Sequence, residues 1–402
     1  MRFIVIGGGA AGVFAACNAA ALYPSMEVIL LEQSSALLSK VKVSGGGRCN
    51  ITHHCHDIGE MIKNYPRGKN FLKKSFHEFF TTDTIEWFEA RGVKIKAEED
   101  GRMFPVTDDS QTVINALIKE LNLHRVKVYF RKKVVSINKS KKWEVECLNN
   151  EKFTADFVCV ACGGLNKLQM FDFLKSTGHS IVPPVPSLFT FNFQPHPLKE
   201  LMGVAVAHAR VSIPFLKKEE YGPVLITHWG VSGPAVLKLS AFAARELYEI
   251  GYEFSVRINW CGEMKEQELR SLLQNIREIS PQAHVENKLV VNLPSRLWKL
   301  QCQRSGIPDS MRYADLPSAA ANRLIRHLLL DEYPVKGKTT FKEEFVTAGG
   351  VSLKEINPLT MESRLQPGLF FAGEVMDVDG VTGGFNFQHA WTSGFIAGRL
   401  GK

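Results

Sequence analysis

The sequence predicts an α/β protein: a Rossmann-like domain with a parallel sheet, interrupted by an inserted β-rich module that carries a small helical module. Three observations predict it. Arg2 to Ile6 is a short apolar run without a polar face, as a strand buried on both sides requires. The turn Gly7-Gly8-Gly9-Ala10-Ala11-Gly12 follows at once and opens an alanine-rich helix near Ala10. From about residue 183 to 341 the chain changes character, beginning with prolines at 183, 184 and 186 and closely spaced strand patterns.

With 402 residues, 45% of them hydrophobic, the chain is long enough for two or three domains with real cores, which excludes disorder and fibrous repeats. The net charge of +8 would suit an anionic cofactor or a nucleic acid, but it is scattered along the chain rather than clustered, so it is weak evidence and a nucleic-acid partner is not expected. Eight cysteines without a regular framework fit a reducing, cytoplasmic setting. The apolar run after Arg2 is broken by glycines at 7, 8, 9 and 12, which argues against a secretory signal, and no later stretch is long enough for a membrane span.

The first turn has the spacing of a dinucleotide site. Gly7 permits the tight turn, Gly9 lets the backbone approach a pyrophosphate, and Gly12 lets helix pack on strand, while the N–H groups at Ala10 and Ala11 face the phosphate charge. A second strand, Glu27 to Glu32, ends in an acid 20 residues after Gly12, the position of a ribose-binding carboxylate. A 2′-phosphate would disturb Glu32, so the site suits FAD or NAD over NADP; Gln33 and Val134 are counted with it.

Three further segments favour FAD. In Ser44-Gly45-Gly46-Gly47-Arg48-Cys49-Asn50 the glycines free the backbone to press on a ligand, and Arg48 offers a charged fork to a phosphate or a flavin carbonyl. The strand from Ala155 runs into Ala161-Cys162-Gly163-Gly164, where the chain returns to the nucleotide. Near the C-terminus, Gly373-Glu374 ends a strand, and Gly384-Phe385-Asn386-Phe387 leads into a last helix with Asn386 as expected N-cap. A helix N-terminus aimed at the flavin pyrimidine edge would stabilise the reduced, anionic ring.

These motifs, with Thr227-His-Trp-Gly-Val-Ser-Gly-Pro234 and Thr347-Ala-Gly-Gly-Val351, resemble the BaiN/RdsA (YhiN-like) family of NAD(P)/FAD-dependent oxidoreductases over nearly the whole chain. The resemblance implies an FAD domain interrupted by an insertion. It also implies oxidoreductase activity, with members assigned to bile-acid ring reduction and to amine oxidation. The expected domains are 1–185 with 342–402 for FAD, and 186–341 on the substrate side. Within the insertion, about 186–260 and 333–341 read as β-rich and about 261–332 as helical, with helices at Pro234 to Leu247, Met264 to Ile279, Pro294 to Ser305 and Ser318 to Glu332.

No second GxGxxG occurs, so NAD(P)H would bind transiently as electron donor, or oxygen would reoxidise the flavin. The leading expectation is NAD(P)H-dependent reduction of an activated C=C bond in a small organic substrate. An oxygen-using oxidase of a small amine and a flavin-binding, RNA-associated or sensing protein are the alternatives. His228, before the Gly230-Val-Ser232-Gly233-Pro234 turn, is the candidate proton donor, with Asp377 and Asp379 as rivals and helix capping by Ser232 or Gly233 as the plain alternative. Cys159 and Cys162 lie in a strand, where residues three apart face opposite ways, so no dithiol is expected. Cys49, His53, His54, Cys55 and His56 lack zinc spacing, so no metal is expected.

Overall fold

The computed structural model describes residues 1–339 and 346–402, so the expected return of the chain to the first domain at 341–342 lies outside the described residues. The chain divides into two compact units, Met1–Ser187 with Phe341–Lys402, and Leu188–Thr340.

The first unit is built on a five-stranded parallel sheet in the order Leu369–Phe371, Phe157–Val160, Arg2–Ile6, Glu27–Leu31, Lys127–Tyr129. Phe3, Ile4 and Val5 are fully buried, which is why the run carries no polar face. The helix Ala10–Leu22 packs on the last helix, Phe385–Gly398. Both are buried nearly all round, and small residues make the contact. A Cβ on Gly394 would stand 2.6 Å from the Ala11 carbonyl oxygen, and one on Gly398 would stand 2.8 Å from that of Ala15. The matching order of these two contacts makes the helices parallel. Smaller antiparallel sheets, Val134–Lys139 with Trp143–Cys147 and Lys152–Ala155, Ile181–Ser187 with Val346–Val351, and Thr52–His53 with Arg102–Pro105 and Ile95–Ala97, complete the unit.

The second unit is a closed antiparallel barrel in the order Thr190–Phe193, Gly230–Ser232, Lys218–Ile226, Ala205–Ile213, Glu253–Asn259, Asp331–Thr339. The helices Glu266–Ile279, Ser295–Arg304 and Ser318–Leu329 lie in the chain between its last two strands. The parallel sheet with a β-rich insertion bearing helices is therefore the architecture of the chain.

Beyond shifts of one or two residues at the helices Glu266–Ile279 and Ser295–Arg304, two helices depart from expectation. The helix expected over Pro234 to Leu247 breaks at Ala243 into Pro234–Phe242 and Ala244–Glu249. The helix expected to run to Glu332 ends at Leu329, because Asp331, Tyr333 and Val335 alternate into the barrel core with period two. The buried Asp331 carboxylate is held there by Trp260, Gln301, Arg304 and Tyr333, so a charge occupies an interior position.

The contact at Gly394 is the first to test. Gly394→Ala places a methyl against backbone that cannot yield like a flexible side chain, so we expect a loss of about 1–3 kcal/mol of stability despite the better helix propensity of alanine. Thermal denaturation reads it; an unchanged or raised Tm would show that the helices are not in backbone contact.

Candidate functional site

At the first turn, sterics leave no freedom. Gly7 has φ 111°, and a Cβ there would meet the Ala161 carbonyl oxygen at 2.4 Å. One on Gly12 would stand 1.9 Å from the Gly7 carbonyl oxygen. Gly9, by contrast, has nothing within 4 Å, so the helix beginning at Ala10, followed by Ala11, presents its N-terminus to open space. Glu32 lies alongside: Oε2 accepts from Gly8 N at 2.7 Å and Oε1 from Ser34 N at 2.7 Å. The segment leading to Val134 runs beside it, with Lys132 N donating to Glu32 O and Arg131 N to Ser34 O. Gln33 is exposed. Ala161 is buried and donates to Ile6 O, and Gly163 (φ 77°) is again open.

The strand Leu369–Phe371 delivers Gly373, whose missing side chain admits Ala11 and whose N–H donates to Ser393 Oγ at 2.8 Å. Glu374 bridges three segments: it accepts from Thr347 N at 2.9 Å, pairs with Lys40 at 2.7 Å, and lies against Gly164, where a Cβ would meet it at 2.4 Å. Thr347 Oγ1 is buried with no hydrogen-bond partner among the described residues. His389, one turn into the last helix, is fully buried; burial pushes its pKa down to about 4, against the opposing effects of the Gly373 backbone and the Glu374 charge.

The remaining segments meet at the N-terminus of the last helix. Gly45, Gly46 and Gly47 have φ of 58°, 70° and 87°, a run of left-handed residues that only glycine adopts without strain, and Gly46 and Gly47 face open space. Ser44 closes this turn by accepting from Cys49 N. Arg48, expected to offer its fork to a ligand, lies 3.9 Å over the Phe104 ring and pairs with Glu98 at 2.6 Å, which braces the loop. Cys49 is fully buried, with its thiol pushed up to about 12 by desolvation, and burial raises Cys162 likewise to about 12. Asn50 Oδ1 accepts from Met103 N at 3.1 Å and stands 3.0 Å from where a Gly384 Cβ would be; the same Cβ would strike Thr52 O at 2.5 Å. Residues more than 330 positions apart are thus pressed together. Gly384, not Asn386, is the N-cap, and the helix starts at Phe385. Asn386 instead donates to Gly380 O and accepts from Gly380 N, both at 2.8 Å, closing the loop before the helix.

Residues the sequence did not single out hold this junction. Tyr65 donates to Phe385 O at 2.7 Å; Gln388 Oε1 accepts from Thr52 at 2.6 Å and Thr84 at 3.0 Å; Trp391 donates to Ile51 O, and the expected site residue Phe387 stacks on it. Gln388 and His389 adjoin a recognised motif, but no local signal marks Tyr65. Asp379, a proposed rival acid, is fully buried and committed to Arg67 and Ser187, while Asp377 is half-buried. Cys159 and Cys162 are both free thiols, and among the described residues no cluster could hold a metal.

His228 lies in the second unit, exposed on the turn between the strands Lys218–Ile226 and Gly230–Ser232. Gly233 (φ 97°) is the N-cap of the next helix, and Pro234 opens it.

The helix N-termini at Ala10 and Phe385 share a direction and, from the contacts at Ala11 and Gly394, are offset by eight residues, about 12 Å at 1.5 Å per residue. A long ligand with an anionic middle and an electron-accepting ring fits this: open glycines at 9, 46, 47 and 163, and the orphan hydroxyl of Thr347, lie in the segments that would line it.

Residues 1–400 match the HI0933-like protein Rossmann domain family. The chain is 31% identical over 407 residues to a 3-dehydro-bile acid delta(4,6)-reductase of Clostridium scindens, covering 99% of this chain and 98% of that one. It is 31% identical over 402 residues to a ribosomal RNA dihydrouridine synthase of Escherichia coli, covering 97% and 95%. Among solved structures it resembles a 3-ketosteroid-delta4-(5alpha)-dehydrogenase from Rhodococcus jostii, with a TM-score of 0.50 at 10% identity over 98% of this chain and 96% of that one, a likeness of fold.

The buried His389 has a measurable consequence. Its pKa falls from the ordinary 6.5 to about 4, so between these values the unfolded chain takes up a proton that the folded chain refuses. Stability should therefore drop as pH falls from about 6.5 towards 4, by up to a few kcal/mol. His389→Phe should flatten the fall in Tm over that window, leaving the smaller shares of His179 and His327, both also shifted down by burial. An unchanged pH slope would mean that His389 is solvated.

Proposed function

The chain belongs to the HI0933-like Rossmann-domain family and is an FAD-dependent oxidoreductase, and from that premise we propose that it reduces a C=C bond conjugated to a carbonyl, with NAD(P)H as the transient electron donor. The observation that carries this is that two relatives of near-equal similarity are named for the same chemistry. One reduces a ring double bond of a 3-oxo bile acid; the other converts uridine to dihydrouridine, whose lost double bond is also conjugated to a carbonyl. The substrate shared by these readings is a ring with an electron-poor alkene. A small organic molecule is the first choice, and a uracil within RNA, after the name of the second relative, is the second. All eight cysteines are free and no described helix is long and apolar enough to cross a membrane, which support a cytoplasmic setting.

In this reading FAD, when bound, would supply hydride transfer: a hydride, two electrons and a proton together, taken from the donor and given to the carbon β to the carbonyl. Gly7, Gly9, Ala10, Ala11, Gly12, Ala161, Cys162, Gly163 and Gly373 would hold its pyrophosphate, with Glu32, Gln33 and Val134 on the adenosine side. Glu374 and Thr347 would meet the ribityl chain. Ser44, Gly45, Gly47, Arg48, Cys49, Asn50, Gly384, Phe385, Asn386 and Phe387 would frame the ring. The N-terminal N–H groups of the helix at Phe385 favour negative charge beside them. The chain must also deliver a proton to the α carbon. His228 is the proposed donor because it is exposed on a turn anchored by Thr227, whereas Asp379 is sealed in its ion pair.

Anaerobic mixing of the yellow holoenzyme with NADH or NADPH tests the reading: we expect the flavin to bleach within the time of turnover, equally in wild type and His228→Gln. His228→Gln should then slow the oxidation of reduced flavin by an alkene about 10²–10⁴-fold. Failure of either nucleotide to bleach the flavin, with bleaching by a small amine instead, would favour an amine oxidase. RNA binding without flavin turnover would favour the sensing alternative.

A further inference from the structure

Over the whole chain the surplus of lysine and arginine is spread out, but one stretch is an exception. Between Leu121 and Trp143 stand eight lysines and arginines and not one acid. The stretch lies entirely in the first unit. It contains the strand Lys127–Tyr129, which forms one edge of the parallel sheet, and the strand Val134–Lys139 with the turn that follows it. Three of the cations are paired: Lys127 with Glu27 at 2.7 Å, Lys142 with Asp156 at 2.9 Å, and Lys132 with Glu151. Glu27 also pairs with Arg2 at 2.6 Å, so one carboxylate serves two cations. Glu144 and Glu146, on the strand paired with Val134–Lys139, are engaged by Lys152 and Ser136. The exposed side chains of Arg125, Arg131, Lys133 and Lys141 pair with no acid among the described residues.

Two aromatic rings stand among these cations, Tyr129 at 36% and Phe130 at 42% exposed, and the backbone that carries them is fixed. Lys127, Val128 and Tyr129 pair in register with Ile29, Leu30 and Leu31. Beyond them Arg131 N donates to Ser34 O at 3.0 Å, Lys132 N to Glu32 O at 2.8 Å, and Leu148 N to Lys133 O at 2.8 Å. Lys127 and Tyr129 share one side of their strand, about 7 Å apart at about 3.3 Å per residue, and Arg131 and Lys133 follow where the chain passes Glu32. Lysine on an open strand edge commonly guards against pairing with a second copy. That explains Lys127. It does not explain Arg131, Lys133 and Lys141, which lie off the edge strand, nor the exposed rings, which an edge guard would avoid.

We propose that this face binds single-stranded RNA, its cations following the phosphates while Tyr129 and Phe130 stack on bases. A duplex keeps its bases stacked within, so the two rings would gain nothing from it. A membrane surface calls for the apolar face of a helix, whereas this face is made of strands and turns. The choice of RNA rests on the reading above, in which a uracil within RNA is the second substrate; the face itself is independent of the reaction.

Fluorescence anisotropy of a labelled uridine-rich single-stranded RNA, titrated with holoenzyme at several salt concentrations, tests this. With about four phosphates engaged, log Kd should rise against log salt with a slope of about 3. Arg131→Gln with Lys133→Gln should lower that slope by about 1.4, at about 0.7 per phosphate lost. Phe130→Ala should weaken binding about tenfold at a given salt concentration and leave the slope unchanged. FAD content and Tm should stay at wild-type values; if the first pair loses FAD, Arg125→Gln with Lys141→Gln is read in its place. Lys217→Gln with Lys336→Gln, exposed cations of the second unit, should bind as wild type. Wild-type slope and affinity in the variants of this face, equal affinity for duplex RNA, or equal affinity for phosphatidylglycerol vesicles would each overturn the proposal. Self-association of the variants with RNA binding intact would do the same and leave the lysines as an edge guard. The two readings fail separately: RNA bound through this face that leaves reduced flavin unoxidised removes the reaction and keeps the face, and flavin oxidised by an enone with no RNA bound does the reverse.

Discussion

The close packing of the first helix on the last is the constraint on which the site depends. Side chains normally hold helix axes 8–10 Å apart, and here Gly394 and Gly398 bring the backbone of one helix onto the carbonyls of the other. Because the two run parallel, their positive ends face the same way, and because the last helix starts eight residues further along, those ends are displaced by about 12 Å along one line. Two anion-favouring points at a fixed separation are what a dinucleotide with a ring at its far end requires. The strands under them add the turns at Gly7, Ala161 and Gly373, which converge on the first of these points.

The second point is held by a buried polar web. Thr52, Thr84, Gln388, Thr392 and the Phe79 carbonyl form one hydrogen-bonded chain, and Tyr65 and Asn386 fix the first turn of the helix. Each buried bond adds about 1 kcal/mol at most, yet leaving any partner unpaired costs more, so the web specifies one arrangement. The open loop Ser44–Gly47 is thereby placed by its neighbours. Its own left-handed glycines give it shape, and the bracing of Arg48 on Phe104 gives it stiffness.

The motif-bearing turns were legible in the sequence because their chemistry is local: Gly7, Gly12 and Gly373 are glycines for steric reasons that a spacing rule captures. The parallel sheet was legible for the same reason. What could not be read was anything set by contacts across hundreds of residues, such as Tyr65 on Phe385 or Thr347 on Glu374. The charged fork of Arg48 beside the glycines was legible, but its pairing with Glu98, 50 residues on, was not. Asn386 misled: a residue type that caps helices is used here to close a loop onto Gly380. In the barrel, Asp331 concealed a strand start, since a buried carboxylate breaks the apolar alternation by which strands are recognised.

What the reduced cofactor does next decides between a reductase of alkenes and an oxidase. Holoenzyme reduced anaerobically with one equivalent of dithionite should be reoxidised on mixing with 4-androstene-3,17-dione or with a uridine-containing RNA, one alkene being lost per flavin while oxygen is absent. Return of the oxidised flavin spectrum together with loss of the conjugated-alkene absorbance is the result the account predicts. Flavin that stays reduced with both and is reoxidised only on admitting air would contradict it.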